Sequence, residues 1–143
     1  MPNRLYRRPE SVLVVIYTFY MDFLLLERTH PVNFWQSVTG TICWNEDPHD
    51  AAIREVKEET GLSSESIIDA KLKNKFSILP EWKDRYDPKV NFNTEHLWYL
   101  KIPQKVSIDL CYKEHKSYKW VKSEQALKMV QSWTNKEAIK RLL

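Results

Sequence analysis

Residues 40–62 read GTICWNEDPHDAAIREVKEETGL, and they hold the only two glycines of the chain, Gly40 and Gly61. About ten glycines are ordinary for this length. Glycine is needed where the backbone takes a positive φ or where another group comes very close. Keeping both at the ends of one segment marks that segment as a loop, a helix and a second loop. Its helix is well punctuated. Asp47 suits the N-cap, Pro48 the first helical position, Asp50 the acid-favouring first turn, and Gly61 the C′ position. At about 100° per residue, Glu59 lies roughly 40° to one side of Glu55 and Glu58 roughly 60° to the other. Three carboxylates on one arc repel one another unless a cation joins them. Hard divalent cations such as Mg²⁺ take oxygen ligands and keep positions open for water and substrate phosphate. Ile53, Val56 and Thr60, with His49 at their edge, form the opposite face and are expected to pack on a sheet while the carboxylates face outward. Ala51 and Ala52 flank the acidic arc and are expected to leave room for a ligand. Arg54 and Glu58, four apart, can pair.

The remaining 120 positions read as one domain spanning 1–143, with no linker, repeat or low-complexity stretch. Hydrophobic residues make up 43% and charged residues 29%, and the net charge is +3. No basic run is long enough for duplex nucleic acid. Cys43 and Cys111 form neither a disulfide framework nor a zinc site. Arg4, Arg7 and Arg8 precede the apolar run Val12 to Tyr20, but that run is too short to span a membrane and lacks a cleavage site. It reads as a central strand, and the chain as cytoplasmic with no membrane partner.

In order, strands are expected over Ser11 to Tyr20, Phe23 to Glu27, Phe34 to Thr39, Lys71 to Leu79, Phe92 to Ile102 and His115 to Val121. Pro80 to Val90 reads as a loop, and Pro103 to Cys111 as a loop or short strand. Ser123 is expected to cap a helix reaching about Val130, and Thr134 to Glu137 to form the capping box of a last helix. This order predicts an α/β fold, a mixed sheet with helices on both faces.

Gly40, Glu46, Arg54-Glu55-Val56, Glu58-Glu59 and Gly61-Leu62 match the Nudix box at every specified position, and on them the chain resembles the Nudix hydrolase family. The resemblance implies the Nudix α/β/α sandwich. It also implies Mg²⁺- or Mn²⁺-dependent hydrolysis of a nucleoside diphosphate linked to another group, with the catalytic work on Arg54, Glu55, Glu58 and Glu59. Further stretches extend it along the chain: Tyr6 to Pro9, Phe34 to Gly40, Arg85-Tyr86, Asn93 to Glu95, Glu114-His115, Tyr118 to Trp120 and Ser132-Trp133. Together they are similar to the folate-pathway branch, whose members take dihydroneopterin triphosphate and also dATP or other nucleoside triphosphates. Carried over by position, the metal ligands are Glu55, Glu59 and Glu114. The contacts to a pterin or nucleoside triphosphate are Arg7, Arg28, Thr39, Phe76, Ser77, Ile78, Leu79 and Ser132. Glu95 is a further acid, structural or catalytic. The general base is left open among the glutamates, and the state between monomer and homodimer. Thr41 to Asn45 departs from the acidic, glycine-bearing loop common in relatives. Two other functions stand beside this one: a broad house-cleaning pyrophosphohydrolase, and a nucleotide-sensing module without turnover.

Overall fold

The computed structural model describes residues 6–143. The run Val12 to Ile16 is buried without interruption, as a strand covered on both faces must be. It lies in β1 (Glu10–Thr18), whose parallel partner is β6 (Phe92–Ile102), from Glu10↔Thr94 to Thr18↔Ile102. β6 pairs antiparallel with the edge strand β5 (Ile68–Ser77). On its other side β1 meets β4 (Val38–Thr41) along its first half and β2 (Asp22–Arg28) at its end. β2 also carries β3 (Trp35–Gln36) and β7 (His115–Lys122). The result is a mixed seven-stranded sheet.

Alternate residues of β1 feed two cores. Val12, Val14 and Ile16 pack with Leu24, Leu26, Val38 and α1 (Pro48–Thr60). Leu13 and Val15 pack with Phe23, Leu25, Leu97, α2 (Ser123–Met129) and α3 (Trp133–Lys140). Period-two alternation thus builds the expected α/β/α sandwich. Among the described residues, no helix is long and apolar enough to cross a membrane.

Several boundaries differ from the sequence reading, for identifiable reasons. The single strand expected over Phe34 to Thr39 is two. At Ser37 the chain passes from β2 to β1, and Asn135 of α3 takes over the backbone there. Its Oδ1 accepts from Ser37 N at 2.9 Å, and its Nδ2 donates to Ser37 Oγ at 2.9 Å. β5 starts at Ile68 rather than Lys71, and a register shift between Asp69 and Lys73 accommodates Lys71 at φ 55°. The loop after Leu79 contains a 3₁₀ turn, Pro80–Arg85. Ser123 is the first residue of α2 rather than its cap, and Lys122 at the cap position makes no side-chain capping bond. The last helix begins earlier than expected. Ser132 is its N-cap, accepting from Asn135 N, and Thr134 is buried within its first turn.

Candidate active site

The helix α1 forms as its punctuation predicts. Asp47 Oδ1 accepts from His49 N at 2.9 Å, and Gly61 ends the helix at φ 78° with its N–H on the Lys57 carbonyl. Its inward face is the expected one, with Val56 and Thr60 buried and Ile53 packed against the first core, but the buried stripe is wider than expected. Ala51, Ala52 and Val56 are fully buried in the first core, and Glu55 and Glu59 are buried with them, at 7% and 0% exposure. The alanines therefore bring the helix close to the sheet instead of making room for a ligand. Of the three arc glutamates only Glu58 stands open, with its side chain 55% exposed. The buried stripe runs through the acidic arc because the sheet under it is notched. Gly40 on β4 leaves a gap that the Glu55 carboxyl fills, and a Cβ there would lie 2.1 Å from Glu55 Cδ.

Arg54 engages all five of its N–H donors, four of them on the acids. Nε and Nη2 make a fork with the two Glu46 oxygens at 2.8 and 2.9 Å. Nη1 reaches Glu55 Oε1 at 2.8 Å and Glu58 Oε2 at 3.3 Å, and Nη2 also reaches the Thr41 carbonyl at 3.1 Å. Such bidentate pairing fixes orientation as well as charge. The fork holds the Glu46 carboxyl down at about 2. Arg8 secures the loop that departs from the family pattern, donating from Nη1 to the carbonyls of Cys43 and Glu46 at 3.1 and 2.9 Å. Trp44 Nε1 donates to the Tyr6 carbonyl at 2.7 Å, and Ile42 is fully buried.

Glu59 is the unusual group. It is completely buried, and neither carboxylate oxygen has a hydrogen-bond partner. Burial, with the neighbouring carboxyl groups of Glu55 and Glu114, pushes its pKa well above the ordinary carboxylate range. Burial also raises that of Glu55. Glu59, Glu114 and His115 bring ligand atoms within 4.8 Å of one another. His115 offers no compensating charge. Burial, and Arg28 after it, push its pKa down to about 4, so the ring is neutral near pH 7. Its Nε2 sits 3.1 Å from Gln36 Nε2 and 3.7 Å from Glu59 Oε1. An unpaired buried acceptor is costly, and an unpaired buried carboxylate more so. Oxygen donors converging on a dry point fit a divalent cation, which removes that cost. The donor set present suits the group that the sequence implied.

Arg28 closes β2 near Glu59 and Glu114. Its pKa is lowered by burial and by Arg85 and raised by the two acids. Its Nε donates to the His30 carbonyl at 2.7 Å, and its guanidinium lies 5.8 Å over the Trp82 ring. Arg7 is exposed. Its N–H bonds the Arg85 carbonyl at 2.9 Å, and its Nη1 donates to Thr41 Oγ1 at 3.3 Å. Thr39 is half-buried, with its hydroxyl already on the Val12 carbonyl at 2.8 Å. Phe76 and Ser77 end β5, and Ile78 and Leu79 lead out of it, with Ile78 N on the Asn91 carbonyl. Ser132 Oγ is engaged with Thr134 Oγ1 at 2.7 Å and caps α3, so it has a structural task irrespective of any ligand. His115, Gln36 and Arg85 lie in stretches that carry the family resemblance, but sequence reasoning assigned them no site role. The adjacency of His115 to Glu114 was visible in the sequence, but the convergence of Gln36 and Arg85 from separate strands and loops was not.

Residues 7–142 match the NUDIX domain, and the chain belongs to the Nudix family. It is 36% identical over 148 residues to the dihydroneopterin triphosphate diphosphatase of Escherichia coli K12, covering 100% of this chain and 97% of that one. It is 39% identical to the corresponding Haemophilus influenzae protein, covering 96% and 89%. The solved structure of the E. coli dihydroneopterin triphosphate pyrophosphohydrolase superposes with a TM-score of 0.89 at 37% identity, covering 96% of each chain. Fold, box and full-length similarity together make this chain a Nudix hydrolase.

Proposed function

We propose that the chain, acting as a single Nudix domain, hydrolyses the α–β phosphoanhydride of dihydroneopterin triphosphate, and less selectively that of dATP and similar nucleoside triphosphates, with Mg²⁺ as cofactor. The observation that carries this reading is the buried, unpartnered Glu59 beside Glu114, in a chain alike along its whole length to enzymes bearing that name.

Glu55, Glu59 and Glu114 would hold the cation. When bound, it supplies charge neutralisation at the phosphate oxygens of the substrate. The rest falls to side chains. Arg28 and Arg7, with Arg85 beside them, bind the triphosphate, since guanidinium forks match phosphate oxygens. Arg54 fixes Glu55 and Glu46 before substrate arrives, so no reorganisation is needed at the moment of reaction. Glu58, open to solvent and steadied by Arg54, accepts the proton of the attacking water. Water adds to phosphorus, the bridging P–O bond breaks, and a monophosphate and pyrophosphate leave. The reaction takes a small molecule and fits a cytoplasmic pathway enzyme.

The deciding experiment is kcat/KM for dihydroneopterin triphosphate, dATP, GTP and an ADP-sugar on one preparation, with pyrophosphate detected directly. Dihydroneopterin triphosphate is expected to lead. A lead for the ADP-sugar or for GTP would overturn the substrate assignment, and stepwise release of orthophosphate would overturn the bond assignment.

A further inference from the structure

Among the described residues, the buried acceptor oxygens without partners fall into two pairs. One is the Glu59 carboxylate. The other is Asn93 Oδ1 and Glu95 Oε1, two residues apart on β6. The second pair lies on the opposite side of the sheet, because Leu97, next in the same alternation, packs in the second core with α3. No cation site explains it, and its surroundings do not satisfy it. Asn93 Nδ2 is committed to Ser11 Oγ at 2.8 Å, Asn135 Nδ2 to Ser37, and Arg7 Nη1 to Thr41. Thr134 stands against the Glu95 carboxyl, and burial still pushes that carboxyl up to about 7.

The register shows what lies around this pair. Thr41, Ser11, Glu95 and Asn74 form one row across β4, β1, β6 and β5. Thr39 lies opposite Leu13 in the next row of β4 and β1, and Phe76 lies opposite Asn93. Directly paired residues share a face. Thr39 and Phe76, two of the anticipated substrate contacts, therefore share one face with Asn93 and Glu95, and Arg7 reaches the end of their row through Thr41 Oγ1. The α3 N-terminus with Ser132 and Thr134 closes it. Residues two apart on a strand are about 7 Å apart, a span comparable to a bicyclic ring.

We propose that Glu95 and Asn93 are the specificity residues for the heterocycle, accepting hydrogen bonds from the N–H and NH₂ donors of a 2-amino-4-oxo-pyrimidine edge. This rests on the proposed triphosphate hydrolysis and names the edge that the site selects. The argument is one of donor count. Two buried acceptor oxygens left without a partner call for a ligand that offers at least two donors side by side. The 2-amino-4-oxo edge, shared by pterins and guanine, offers the ring N–H and the amino group together. Adenine offers one amino group next to a ring nitrogen whose lone pair faces the carboxylate. Hypoxanthine keeps the ring N–H and lacks the amino group. Each missing donor leaves a buried acceptor unpaired, which weakens binding by roughly tenfold or more.

The test compares binding of the α,β-methylene analogues of dGTP and dITP to the wild-type chain by calorimetry, so that no turnover is required. The dGTP analogue is expected to bind at least about tenfold more tightly. In Glu95→Gln, which turns a nitrogen donor toward the ligand, this preference is expected to collapse to within about threefold. Equal binding of the two analogues by the wild type overturns the inference. So does a preference that survives in Glu95→Gln, because the edge is then read elsewhere. If Glu95→Gln does not fold, the wild-type comparison is made with Asn93→Ser, whose ratio must also fall. Failure to hydrolyse dihydroneopterin triphosphate with the dGTP preference intact would sink the proposed reaction and leave this recognition standing.

Discussion

Gly40→Ala separates what holds the fold from what holds the site. The new Cβ would lie 2.1 Å from Glu55 Cδ and 2.3 and 2.4 Å from its two oxygens. β4 is pinned to β1 through Val12↔Gly40, so the carboxyl, at the end of a flexible side chain, is the part that moves. Moving it breaks the 2.8 Å bond from Arg54 Nη1. A hydrogen bond to a charged group is worth about 1.5–3 kcal/mol. Gly40 does not have a positive φ, so alanine recovers about 0.4–1 kcal/mol by restricting the unfolded chain. The net loss is about 1–2 kcal/mol, a fall in Tm of roughly 2–8 °C for a chain of this size. Turnover is expected to fall by at least about a hundredfold, the scale seen when a preorganised charged group leaves an active site. Gly61→Ala gives the opposite signature. At φ 78°, with Asp109 Cβ 2.9 Å from the added methyl, it stresses the end of α1 and costs about 1–3 kcal/mol. Its folded fraction is expected to retain most of its activity. Thermal melts and initial rates at fixed Mg²⁺ on both variants decide the matter. Turnover of Gly40→Ala within threefold of wild type would refute the reasoning that Gly40 exists to admit Glu55.

Three further outcomes are expected. Glu59→Gln removes a buried group whose charged form is disfavoured, so the metal-free variant should melt at or above the wild-type temperature, yet lose turnover by orders of magnitude. A Tm rise with added Mg²⁺ in wild type but not in the variant would be read by thermal shift, and an equal rise in both would remove Glu59 from the cation site. The Glu46 carboxyl is held at about 2 against an ordinary 4.5, so its ion pair contributes stability above pH 4.5 that is lost as pH falls toward 2. After solvent screening this amounts to about 1–2 kcal/mol, and the Tm gap between wild type and Glu46→Gln should narrow between pH 4.5 and pH 2; a constant gap would contradict it. Ser132→Ala removes the α3 cap and should cost about 1 kcal/mol of stability, with any loss of kcat/KM confined to substrate discrimination. Equal weakening of all substrates would leave Ser132 a cap and nothing more.

Much of the site was legible in the sequence because its key element is local. The caps of α1, the two glycines and the spacing of Glu46, Arg54, Glu55, Glu58 and Glu59 all lie within 23 residues, and helix geometry alone relates them. Burial of alternate residues in β1 and β6 likewise follows from the composition of each strand. Tertiary structure decided how much of α1 faces the sheet. Periodicity placed Ile53, Val56 and Thr60 inward, as they are, and the acids outward, but the Gly40 notch widens the buried face to take in Glu55 and Glu59, and a notch in one strand cannot be read from the pattern of a helix. It also decided that β3 and β4 are separate, because Asn135, 98 residues away, takes the backbone of Ser37 out of the sheet. The charge state of Glu59 and His115, and the pairing of Asn93 with Glu95 as unmet acceptors, belong to the same class. Each depends on desolvation by elements distant in the chain, and desolvation is a property of the packed interior that no single segment carries.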